Sequence, residues 1–249
     1  MVDLGPDALK NPNLSALLAA PFGGQYAGDA LAAVVLGDEN PAGRLTTTWY
    51  TTDALSRLGN ISDYAMANRT YRFLSSGADA AFAFGHGLSF SSFSYSALDV
   101  QPARPAPCDT ITVTATLSNA AGAPAGAEVA QLYISIANAS VPQPRLQLVN
   151  FEKTAPLAGG ASAQLRLTIL PEDNAVLRDG DFLPVIEPGA RSFWLGASSD
   201  TAGLGLAGAY AVEGTTTPLR DCGGVVGAAV WPRPKLNAEG RGGAARWGA

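Results

Sequence analysis

The chain has 249 residues, with 16 Lys+Arg against 21 Asp+Glu and a net charge of −5. That length suits one large domain or two small ones, and leaves no room for a ~250-residue barrel beside anything else. The acidic balance argues against a nucleic-acid partner, which needs a basic face for phosphates. The hydrophobic fraction of 47% includes 45 alanines, and 28 glycines and 17 prolines add more small or turn-forming residues. A core built from many short elements is therefore expected. No window of ~18–20 residues is continuously apolar, so no membrane anchor is expected. The start, Met1 to Asp7, is acidic and broken by Pro6, and has no secretory leader pattern.

In chain order, residues 13–20 form an apolar run that stops at Pro21, and its length favours a strand. Ala30, Leu31, Val34 and Val35 then share one helical face, with Gly37 as the C-terminal stop. A turn over 38–43 leads into an extended stretch, Arg44 to Tyr50, rich in β-branched and aromatic residues. The glycines flanking His86 predict a tight loop. Residues 99–107 hold three prolines and read as a linker. From residue 108 to about 212 the pattern is all-β. Ile111–Leu117, Val129–Ile136, Leu146–Phe151, Ala163–Ile169 and Ser192–Gly196 read as short strands separated by turns, with one more over Ala209–Val212. That spacing predicts a β-sandwich. Residues 213–249 read as a low-complexity, disordered tail.

Generic catalytic signatures are weak. His86 is the single histidine, so any Ser-His-Asp or Cys-His site would depend on it, and a structural loop role is the favoured reading. One histidine and two distant cysteines do not make a metal cluster. Cys108 and Cys222 admit two states, a bridge or two free thiols. Gly203 to Gly208 matches G-x-G-x-x-G, but no helix or correctly spaced acid follows, and the match is read as chance. Glycosidase chemistry needs two carboxyl groups facing one bond. Asp38, Glu39, Glu128, Glu152, Glu172 and Asp173 all sit in turns or beside strands and read as solvated, so no residue receives a catalytic role. Four N-x-[ST] sequons begin at Asn13, Asn60, Asn68 and Asn138. Asn60, Asn68 and Asn138 are the candidate N-glycosylation sites, because Asn13 opens an apolar run.

Several motifs together carry a family resemblance. They are Phe22-Gly23-Gly24-Gln25-Tyr26-Ala27-Gly28-Asp29-Ala30-Leu31-Ala32, Gly37-Asp38-Glu39-Asn40-Pro41-Ala42-Gly43-Arg44-Leu45 with Thr48-Trp49-Tyr50, Arg69-Thr70-Tyr71-Arg72-Phe73, and Phe84-Gly85-His86-Gly87-Leu88-Ser89-Phe90. In order and spacing they resemble glycoside hydrolase family 3, in its plant-type β-D-xylosidase / α-L-arabinofuranosidase or β-glucosidase branch. Leu148 to Lys153 and Glu187-Pro188-Gly189 extend the resemblance into the family's fibronectin type III-like domain. Local departures are Phe22 and Ala27 for family proline and glycine, and Thr46 for the proline after Arg-Leu.

The resemblance implies an α/β fragment followed by an all-β immunoglobulin/fibronectin type III-like sandwich and a disordered C-terminal tail. The expected division is 1–98, the C-terminal part of the family's α/β domain; 99–107, a Pro-rich linker; 108–212, the sandwich; and 213–249, the tail. It further implies a retaining, exo-acting O-glycosyl hydrolase of xylo- or arabino-glycans as the parent. The family's nucleophilic aspartate and acid/base glutamate have no counterpart here, so this chain alone is expected to be inactive. No cofactor, metal, nucleic acid or membrane is implied, and the implied setting is extracellular or cell wall. The competing reading is a stand-alone, non-catalytic sandwich that binds carbohydrate or a protein through Tyr133, Trp194 or Trp231, although Tyr133 and Trp194 are better suited to packing.

Overall fold

The computed structural model describes residues 11–20, 22–58, 62, 65–75, 77–178, 183–203 and 205–223. Its centre is a sandwich of two antiparallel sheets. One sheet runs β3 (Phe93–Gln101), β4 (Ile111–Asn119), β7 (Ser162–Ile169). The other runs β11 (Gly205–Val212), β10 (Gly189–Gly196), β5 (Val129–Ile136), β6 (Gln147–Lys153). Strict alternation along β4 points Ile111, Val113, Ala115 and Leu117 inward. They meet Leu165, Leu167 and Ile169 of β7 and Ala130, Leu132 and Ile134 of β5 in one core, closed by Phe193, Leu195 and Tyr210. Period-2 patterning with one buried face is what made these strands legible in the sequence.

Beside this core lies a small sheet of β8 (Ala175–Leu177), β9 (Pro184–Ile186) and β12 (Thr217–Pro218). It corrects the expected tail. Residues 213–223 are part of the fold: Thr217 pairs with Ile186, Leu219 is buried in the core, and Cys222 is bonded to Cys108. The two cysteines are bridged, 114 residues apart in sequence. The expectation of disorder beyond residue 223 falls outside the described residues.

The proline-rich segment is also integrated rather than free. Strand β3 begins at Phe93 and runs through Gln101. Beyond it, Ala103 and Pro105 carbonyls accept from Ala211 and Glu213 amides at 3.2 and 2.9 Å, and Pro105 is buried. Proline cannot donate, but its carbonyl still pairs, so the segment edges the sandwich.

The N-terminal part holds α1 (Ala27–Leu36), β1 (Trp49–Tyr50), α2 (Thr52–Arg57), α3 (Thr70–Phe73) and β2 (Ala80–Phe82), with β1 and β2 paired. The predicted helix is present, and Gly37 ends it at φ 86°. Its apolar face buries nothing fully; Val35 and Leu36 are 74% and 75% exposed. The strand expected over residues 13–20 does not form. A strand needs a neighbour for its N–H and C=O groups, and no described strand lies beside this run. Its leucines, Leu14, Leu17 and Leu18, are exposed. The extended reading of Arg44–Tyr50 holds as a strand only at Trp49–Tyr50. No described helix is long and apolar enough to cross a membrane.

Candidate functional site

The outward face of the β10-β5-β6 sheet is covered by the N-terminal part, and the motif residues gather there. Five consecutive residues of β5, Ala130 to Ile134, are buried. Alternation sends Ala130, Leu132 and Ile134 into the sandwich, which leaves Gln131 and Tyr133 to a second environment. That environment is a separate cluster of Tyr133, Leu146 and Trp194 with Tyr71, Phe84 and Leu148 packed on it.

Tyr71, from α3, stacks on Phe84 with ring centroids 4.4 Å apart and meets Tyr133 edge-on at 5.8 Å. Both geometries suit aromatic quadrupoles. The Tyr71 hydroxyl accepts from the Leu148 amide at 3.2 Å. Arg72 donates to Gln147 Oε1 at 2.9 Å, and its carbonyl accepts from the Arg145 amide at 2.7 Å. Burial pushes the Tyr71 and Tyr133 phenols above their usual range. Both therefore act as neutral hydrogen-bonding groups. Tyr133 donates to Gln131 Oε1 at 2.5 Å, while Gln131 Nε2 donates to the carbonyls of Ala197 at 2.6 Å and Gly85 at 3.2 Å. Gly85 has φ 79°, and a Cβ there would sit 2.1 Å from Gln131 Oε1. Gly85 thus serves close approach to the sandwich, while a Cβ at Gly87 would sit 2.3 Å from the Gly43 carbonyl oxygen, within the N-terminal part.

A polar knot lies next to this aromatic one. Asn40 uses its whole amide: Nδ2 donates to Ser91 Oγ at 2.8 Å and the Ala125 carbonyl at 2.9 Å, and Oδ1 accepts from Ser89 Oγ at 2.8 Å and the Phe90 amide at 2.9 Å. Arg44 Nη2 reaches both oxygens of Glu128 at 2.6 and 2.7 Å, and Nη1 donates to the Gly87 carbonyl. Glu128, expected at a solvated strand edge, is 2% exposed. Tyr95 donates to its Oε1 at 3.3 Å. Burial raises the Glu128 carboxyl, and the Arg44 guanidinium opposes that rise. Burial, then the Glu128 charge, raises the Tyr95 phenol.

His86 packs its ring against Phe82 at 5.1 Å, and its backbone carbonyl accepts from the Leu45 amide at 2.9 Å. Burial, then the neighbouring Arg44 cation, lowers its pKa, with Asp200 opposing. The structural reading of His86 agrees with this placement. Other acids are engaged nearer the surface: Asp79 with Arg57, Glu213 with Arg104, and Glu187 with Ser140. The arrangement is a latch of buried rings and hydrogen-bonded polar groups, in which the Nε atoms of Arg44 and Arg72 are buried without a partner.

Sequence reasoning singled out Asn40, Arg44, Tyr71, Arg72, Phe84 and His86 by motif and missed their partners Tyr95, Gln131 and Gln147. Gln131 and Tyr133 read as the ordinary outer face of a half-exposed strand, so local sequence did not mark their burial. Tyr133 and Trp194 are 0% and 8% exposed, so neither offers a sugar platform. Trp231 and the sequon at Asn60 lie outside the described residues. Asn68 and Asn138 lie on exposed turns. The G-x-G-x-x-G match has a packing origin. In β11, a Cβ at Gly205 would sit 2.4 Å from Trp194 and one at Gly208 2.3 Å from Phe193.

The chain is thus a β-sandwich latched to a smaller part of helices and a short strand pair through this junction. Residues 1–90 match the model of the glycosyl hydrolase family 3 C-terminal domain, and residues 128–199 match a fibronectin type III-like domain. The chain belongs to glycoside hydrolase family 3. It is 37% identical over 155 residues to a xylan 1,4-beta-xylosidase of Xylanibacter ruminicola, covering 61% of this chain and 17% of the relative. It is 31% identical over 219 residues to a probable beta-glucosidase L of Aspergillus terreus, covering 77% and 29%. Among solved structures, beta-glucosidase 3B of Thermotoga neapolitana in complex with alpha-D-glucose superposes with a TM-score of 0.66 at 31% identity, covering 78% of this chain and 28% of that one. The chain spans less than a third of the length of each of these relatives.

Proposed function

We propose that the chain is the C-terminal part of a retaining, exo-acting glycoside hydrolase that cleaves β-xylosidic bonds in xylan-derived glycans. Its own contribution is a buttress: the sandwich holds the last part of the α/β domain in place. One observation carries this reading. The side chains that the family motifs supply are spent on contacts with the sandwich, Arg44 on Glu128, Tyr71 on Tyr133 and Asn40 on Ala125. The chemistry then belongs to the rest of the parent, which would form a glycosyl-aspartate and hydrolyse it. An α-L-arabinofuranosidase activity is the accompanying proposal, and carbohydrate is the partner of the full-length parent.

We propose an extracellular or cell-wall setting. The Cys108–Cys222 bridge supports it, because such bonds persist in oxidising compartments.

The test is turnover of aryl β-D-xyloside, β-D-glucoside and α-L-arabinofuranoside. The purified chain alone is expected to give none. A chimera in which it replaces the corresponding region of the Xylanibacter ruminicola xylosidase is expected to hydrolyse the xyloside. Turnover by the chain alone, persisting through purification, contradicts the reading.

A further inference from the structure

Two sequons occupy turns that the fold itself pins. At Asn138, between β5 and β6, the Ser140 amide donates to Glu187 Oε2 at 2.9 Å and the Ser140 hydroxyl donates to Oε1. Asn138 has φ 56° and is exposed. At Asn68, φ 58°, the backbone amide donates to the Phe73 carbonyl at 3.2 Å, and the Thr70 amide donates to the Tyr50 hydroxyl at 2.5 Å. The Asn68 side chain borders a surface cavity of about 320 Å³. Ala54, Leu58 and Leu74 line that cavity together with Ser75 and the Arg57–Asp79 ion pair. A lining of aliphatic side chains with a few polar and charged groups suits a pyranose, which has apolar ring faces and a hydroxyl rim.

We propose that Asn68 and Asn138 accept N-linked glycans and that the first sugar on Asn68 rests in the adjoining cavity. The disulfide is an independent sign of the oxidising route on which such transfer occurs. In the transfer, Asn Nδ2 attacks C1 of a lipid-diphosphate-linked oligosaccharide. The C1–N bond forms, the C1–O bond breaks with its electron pair leaving on the lipid diphosphate, and one amide proton passes to a base of the transferase. The proposal rests on the extracellular reading above.

The first experiment translates the full chain, behind a signal sequence, into microsomes and counts mass steps removed by peptide N-glycosidase. N68Q and N138Q are each expected to lose one step. Absence of a step at either site overturns the assignment, and the readout does not require folding. Microsomes supply translocation themselves, so failure here leaves the extracellular reading standing. That reading fails separately if Cys108 and Cys222 are found reduced in protein isolated from its source. The second experiment uses the secreted N138Q chain. Trimming its glycan to one N-acetylglucosamine is expected to preserve Tm, and complete removal to lower it by about 2–4 °C. Equal Tm for the trimmed and sugar-free forms overturns the cavity contact.

Discussion

Single residues of the junction carry unequal weight, and burial decides which. Glu128 is nearly inaccessible and has a cation on both its oxygens. R44A leaves that charge buried without its partner and is expected to cost about 3–5 kcal/mol. Adding E128Q to R44A should recover part of the loss, and urea unfolding of the single and double variants measures the coupling. An exposed pair makes a control: removing Arg104 opposite Glu213 should change stability by under about 1 kcal/mol. His86 predicts a pH dependence. Its neutral form is favoured in the fold, so the folded pKa lies below 6.5. The stability it contributes is complete above pH 6.5 and is lost as pH falls through the folded value. Melting temperature should therefore drop between neutral pH and pH 5, and H86Q should flatten that slope. Because the chain has a single histidine, its proton resonance reports the titration directly.

At the scale of elements, the Cys108–Cys222 bridge closes a loop of 114 residues and ties the 3₁₀ turn Leu219–Cys222 to the turn after the proline-rich segment. C108S/C222S is expected to destabilise the chain by about 2–5 kcal/mol. It should also expose the 213–223 segment to protease, seen as early cleavage there. In β11, G208A must push against Phe193 and should cost about 1–3 kcal/mol by thermal unfolding.

The same elements explain what was legible. Strands β4 and β7 declared themselves because one buried face imposes period 2 along the chain, and β5 through the apolar alternation of Ala130, Leu132, Ile134 and Ile136, although both of its faces are buried. The 13–20 run misled because apolar content marks a strand only where a partner strand exists. The segments 99–107 and 213–223 misled in the opposite direction. Proline and low complexity read as linker and tail, yet the contacts holding them, Pro105 with Glu213 and Cys108 with Cys222, join distant parts of the chain. The candidate site divided likewise. The motif side was visible in Asn40, Arg44 and Tyr71, while Glu128 and Gln131 acquire their roles only through pairings across 84 and 46 residues.

For the whole molecule, stability should be graded. The sandwich has a continuous core, whereas α1 and the run before it expose Leu18, Val35 and Leu36. Limited proteolysis should cut first within residues 11–40 and spare 93–223. Equal resistance of the two parts contradicts that gradation. The latch between them is the central claim, and amide hydrogen exchange of the full chain tests it most directly. The N–H groups of Gly85, Arg145, Leu148 and Ser199 donate in or across the junction at 2.7–3.2 Å. In the wild-type chain these amides should be protected. In Y71A, which empties the stack on Phe84 and Tyr133, they should lose protection together, while β4 and β7 keep theirs. Unchanged protection of the junction amides in Y71A would contradict the account.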